Sequence, residues 1–169
     1  MTVEEFQQMA DRAYYIRGLV LNESIYLEHA LEYYIATHYC GDNEVRDKMI
    51  EQFLTTDVSF RGKVSTFIRL IKEANKGWLS QNPEIPDNLD KIFKARNILA
   101  HEVLDTSPFG RQQYERHKLI HFTKLFKTER NVFSDEYVKE LRTILGNTSN
   151  KIALLLPGFS EQPFPSGNS

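Results

Sequence analysis

Along most of the chain, apolar residues recur every three or four positions, the spacing that gathers them on one face of a helix. Thr2 and Glu5 have the spacing of a capping box, and Phe6, Met9, Ala13 and Ile16 follow at helical intervals up to Gly18, which predicts a first helix. Val20, Leu27, Leu31, Tyr34 and Ile35 carry a second to about Tyr39, where CGDN turns the chain. Asp42 or Asn43 then caps a shorter helix through Leu54. Asp57 or Ser59 opens another, with Phe60, Val64, Phe67, Ile68 and Ile71 as its apolar stripe and an end near Gly77. After the connector NPEIPD, Pro86 or Asp87 starts a helix that runs to about Leu104 before DTSPFG breaks it.

The period then changes. KLIHFTKLF alternates as a strand does and ERNVFS suits its return, which predicts a short β-hairpin near 118–133. Ser134, followed by Asp135 and Glu136, caps a last helix carrying Val138, Leu141, Leu145, Ile152 and Leu155, with an interruption near Gly146. Together these elements predict an all-α fold: an up-and-down bundle of five to six helices in one domain over residues 1–156. The Pro- and Ser-rich tail over 157–169 is expected to be flexible.

Composition narrows the function classes. A net charge of −2 and a pI near 6.2 exclude a domain held on nucleic acid by bulk electrostatics, so any such contact must be local. The single cysteine, Cys40, makes no internal disulfide, and no Cys/His set has zinc spacing. No signal peptide or membrane span is read from the sequence. The expectation is a cytoplasmic protein without metal or cofactor.

The candidate chemistry lies in KIFKARNILAHEVL, residues 91–104. At about 100° per residue, Leu89, Ile92, Phe93, Leu99, Ala100, Val103 and Leu104 share a broad face with Arg96 near its centre. A guanidinium keeps its charge, so it must meet a carboxylate, carbonyls or an open cleft there. Asn97 and His101 are four apart and lie together on the flank of that face. Arg96 and His101 differ by about 140° around the axis and about 7.5 Å along it. A phosphate between them would join them, as would a second copy of the helix crossing the first; Ile98, placed opposite the apolar face, suits the crossing. Purely structural roles are an ion pair of Arg96 with Glu28 or Glu32, a helix-end His101 bonded to last-turn carbonyls, and an Asn97 satisfying a neighbouring loop.

R-N-I-L-A-H resembles the R-N-x-x-A-H form of the arginine, four to six residues, histidine signature of HEPN domains, and the helices over residues 10–104 are similar to that family's layout. The resemblance implies a metal-independent endoribonuclease, a toxin or defence effector, working as a homodimer with both signatures lining one cleft. Arg96, Asn97 and His101 would be its catalytic set, with a cognate antitoxin as a partner. RNA supplies its own nucleophile, so His101 would move a proton and Arg96 would hold the phosphate oxygens as charge builds. FRGKVSTFIRLI before RNILAH also resembles mannitol-operon-repressor-like helical proteins, which implies instead a non-enzymatic regulatory or interaction module.

Other features carry less. Arg116 with His121, and Arg111 with His117, repeat the arginine–histidine spacing without the Asn and Ala of the fuller pattern. Arg61, Ser65, Arg69, Lys72 and Lys76 form a basic stripe that would contact an RNA backbone or simply be a solvated face. Tyr14, Tyr15, Tyr33 and Tyr34 suit a packing or dimer face, or base stacking.

Overall fold

The computed structural model describes residues 1–41, 43–125 and 127–156. Helices α1 (Val3–Cys40), α2 (Glu44–Met49), α3 (Thr55–Asp57), α4 (Phe60–Ala74), α5 (Lys76–Gln81), α6 (Ile85–His101), α7 (Pro108–His117) and α8 (Asp135–Ala153) carry most of them. A small antiparallel sheet adds β1 (Val103–Leu104), β2 (Ile120–Thr123) and β3 (Arg130–Phe133), in that spatial order. The fold is thus mainly α with the expected hairpin, enlarged by one strand. The tail expected over 157–169 and the capping role of Asp42 lie outside the described residues.

Several boundaries differ from the sequence expectation. The two helices predicted before residue 40 are one helix of 38 residues that passes straight through Gly18. Ile16 and Val20, both fully buried, are four apart, so the stripes on either side of the glycine are in phase. A mid-helix glycine costs only about 1 kcal/mol against that. The helix predicted to reach Leu54 instead loosens into a π-helical turn over Ile50–Leu54 between α2 and α3. Ser59 is the cap that opens α4, its Oγ accepting from the Gly62 amide at 3.2 Å. That helix stops at Ala74, and Asn75 caps α5, so Gly77 lies just inside the next helix rather than at an end. The second half of DTSPFG opens α7 rather than only breaking the chain, a helix not expected from the sequence; Ser107 caps it and Pro108 leads its first turn. Helix α8 runs through Gly146 without a break.

The chain divides into two compact units, the dividing points falling inside α1, α6 and α8. The first comprises Met1–Ser24 and Lys94–Thr143. Its sheet pairs Val103 and Leu104 with Thr123 and Phe122, and Phe122 in turn with Asn131. Phe122 meets Phe133 edge-on at 5.4 Å, and Phe133 meets Tyr137 at the same distance. Lys118, left-handed at φ 54°, ends α7 and turns the chain into β2. On the other flank, Arg12 binds Asp135 and Arg142 binds Glu23, tying α1 to α8.

The second unit comprises Ile25–Phe93 and Ile144–Ser169, described to Leu156. Ile35, Ala36, Leu54 and Leu70 form a buried cluster with Tyr34, Met49, Ile50 and Val58 against it. Tyr34 meets Phe67 edge-on at 5.1 Å, so this tyrosine packs. Among the described residues no helix is long and apolar enough to cross a membrane.

Candidate functional site

Helix α6 buries Ile85, Leu89, Ile92, Ala95 and Leu99, and Glu102 just past its end continues the same stripe. This corrects the helical wheel. Ile92 and Leu99, not Arg96, hold the centre of the buried face; Arg96 is half-buried on its flank, and Ala100 and Val103 are exposed. Asn97 and His101 are both exposed, one turn apart on the same side of the helix.

The helix ends at His101, three residues short of the expected Leu104. The Glu102 amide makes the last helical bond, to the Ile98 carbonyl at 2.8 Å, and Val103 already pairs with β2. His101 therefore sits in the last turn, beside the free carbonyls of the helix end. The three candidate residues thus lie within two turns of one helix in the first unit. Asn97 and His101 can act on one ligand, and Arg96 approaches from the adjacent flank.

Glu102, which the sequence reading passed over, is 5 % exposed and held on two sides. Its Oε2 accepts from Asn131 Nδ2 at 2.8 Å, and its carbonyl accepts from Arg17 Nη2 at 2.6 Å. The Arg17 guanidinium lies 5.2 Å over the Phe122 ring. Nearby in the same unit, the buried Asp105 binds Arg130 Nε at 2.6 Å and the Ser107 amide at 3.0 Å. Burial alone would raise the Asp105 carboxyl, but these hydrogen bonds outweigh it and hold the group below the ordinary range. The signal for Glu102 was present: a charged residue three past Leu99, in phase with an apolar stripe.

No family model, curated protein or solved structure matches this chain.

In the second unit, Arg61, Ser65, Arg69 and Lys72 are exposed along α4, while Lys76 is exposed on α5. Arg61 covers the Phe93 ring at 5.6 Å and Arg69 reaches the Tyr39 hydroxyl at 3.5 Å. The residue the pattern concealed here is Lys63. It is 1 % exposed and donates to Glu28 Oε1 at 2.6 Å and Glu32 Oε1 at 2.5 Å. His29 approaches the other oxygen of Glu32 at 2.9 Å. Glu28 and Glu32, on one face of α1, thus both accept from Lys63. Among the described residues no group of three or more His, Cys, Asp or Glu side chains could hold a metal ion.

Proposed function

We propose that the chain is a metal-independent endoribonuclease of the HEPN type, a toxin or defence effector, with a composite site formed by two copies. The observation that carries this reading is the joint exposure of Asn97 and His101 at the end of α6, with Arg96 beside them. One His101 takes the proton of an RNA 2′-hydroxyl as that oxygen bonds to phosphorus. The bond to the 5′-oxygen breaks, and the partner's His101 gives that oxygen a proton, leaving a 2′,3′-cyclic phosphate and a 5′-hydroxyl. Arg96 holds the non-bridging oxygens as negative charge grows, and Asn97 orients the phosphate or the imidazole. Arg61, Arg69, Lys72 and Lys76 are proposed as separate contacts to RNA backbone.

The test is cleavage of a labelled single-stranded RNA by wild type, Arg96→Ala and His101→Ala, with a 2′-deoxy version of the substrate as control. Either substitution lowers cleavage by about 100-fold or more, with circular dichroism and oligomeric state unchanged, and the deoxy substrate stays intact. Undiminished cutting by both variants defeats the proposal.

A second reading, a non-enzymatic module resembling the mannitol-operon-repressor-like proteins, is favoured by Tyr14 and Tyr15. These rings are 68 % and 55 % exposed on α1, a surface suited to a protein partner. Under it, no RNA is cut by the wild type.

A further inference from the structure

His101 is exposed, yet the next residue is one of the most firmly held in its unit. The amide of Glu102 closes the last turn of α6, its carbonyl takes a hydrogen bond from Arg17 on α1, and its carboxylate takes one from Asn131 on β3. The sheet register explains the reach: Leu104, Phe122 and Asn131 form one row across β1, β2 and β3, so their side chains share a face. Glu102, two before Leu104, projects to that same side, and Arg17 lies over Phe122 there. The end of α6 would otherwise fray, as helix termini do.

The geometry points to Arg17 and Asn131 as positioning residues that fix the His101 imidazole by clamping Glu102. Both hydrogen-bond Glu102, the residue that sets where the helix stops, and act on His101 through it. The arrangement is costly unless it is used, because Glu102 is a buried carboxylate and the Arg17 Nε is buried without a partner among the described residues. This inference rests on the ribonuclease reading for its kinetic consequence, but the position of His101 can be read without any turnover.

The experiment uses the whole 169-residue chain with its histidine rings isotopically labelled, the His101 resonance being assigned by its loss in His101→Ala. Asn131→Ala shifts that resonance and lowers kcat about 10- to 100-fold with KM near the wild-type value, as expected for a displaced reacting group. The swap Glu102→Gln with Asn131→Asp, which restores the hydrogen bond with donor and acceptor exchanged, returns both readouts toward wild type. Thr123→Ala serves as the control for a merely structural lesion. It removes the hydroxyl that donates into the connection between β2 and β3, where the Lys127 and Glu129 carbonyls lie at 3.1 and 2.9 Å, without touching residue 102, and leaves the His101 resonance in place.

An unmoved resonance and unchanged kcat in Asn131→Ala, or a swap no better than the single variant, overturns the clamp. Should Asn131→Ala not fold, the swap and Arg17→Lys decide: a wild-type resonance in Arg17→Lys or a displaced one in the swap counts against it. If the wild type cuts no RNA, the ribonuclease reading fails. The clamp then stands or falls on the resonance alone.

Discussion

Replacing Lys63 by methionine tests the strongest energetic feature of the fold. The ammonium sits 2.6 Å from Glu28 and 2.5 Å from Glu32, and the side chains of Lys63 and Glu32 are 2 % and 1 % exposed. Methionine keeps the apolar stem of the lysine but removes the charge, leaving the Glu32 carboxyl without its ammonium partner in a place water does not reach. Each charge-assisted bond contributes about 1.5–3 kcal/mol, and breaking a buried pair by removing one partner costs about 3–5 kcal/mol. Glu28 is 17 % exposed and regains some solvation, while His29 offers Glu32 a second donor, so the lower half of that range applies. At about 2–4 °C per kcal/mol for a chain of this size, melting falls by on the order of 10 °C. The assay is urea unfolding followed by far-UV circular dichroism, with amide exchange on α1 and α4 as a local readout. The companion Lys63→Met, Glu28→Gln, Glu32→Leu removes the ammonium and both carboxylates together and recovers most of the loss, since apolar replacement of a buried network is commonly neutral or better. A Lys63→Met loss under about 1 kcal/mol would show that the carboxylates are solvated, and the reasoning would fail.

The sequence made some of this architecture legible and concealed the rest for definite reasons. Caps read well: Asn43, Ser59 and Ser134 each accept a backbone hydrogen bond at the head of their helix, as their residue types require. The hairpin was visible because its period changes from helical spacing to alternation. What failed was the assumption that charge marks a surface. Lys63 lies three after Phe60 and four before Phe67, squarely in the apolar stripe, and Glu28 and Glu32 share a face of α1 to receive it. Complementary charges on two stripes are visible in retrospect, but their pairing is a tertiary fact. Arg96 went the other way. Counting Ala100 as interior and omitting Ala95 and Glu102 turned the face toward the arginine, whereas the buried stripe leaves Arg96 about 60° from its centre. The identities of Arg96, Asn97 and His101 were legible as a motif; their unequal exposure was not.

Two further perturbations probe the unit that carries the motif. A methyl group at Gly110 would overlap the Asp105 carbonyl, a backbone atom that cannot step aside without moving the start of α7. Gly110→Ala therefore lowers stability by about 1–3 kcal/mol in urea unfolding, and wild-type stability in that variant would refute the close approach. His121 gives a pH signature. It is 6 % exposed, packs edge-on to Phe109 at 5.5 Å, and neither ring nitrogen has a partner among the described residues. Burial pushes its pKa below the ordinary histidine value; Asp105 pulls it up and Arg130 pushes it further down. The folded chain thus prefers the neutral ring while the unfolded chain takes a proton more readily. The stability this contributes is complete above the unfolded pKa of about 6.5, and is lost as pH falls from there toward the folded value. Asp105, with its depressed carboxyl, contributes above about pH 4 and loses its share only below that, so the two groups act in separate windows. His121→Phe removes the upper window and keeps the lower. Urea midpoints at pH 7.5, 6 and 5 fall for the wild type and stay level for the variant, and equal slopes in the two proteins would refute the buried neutral ring.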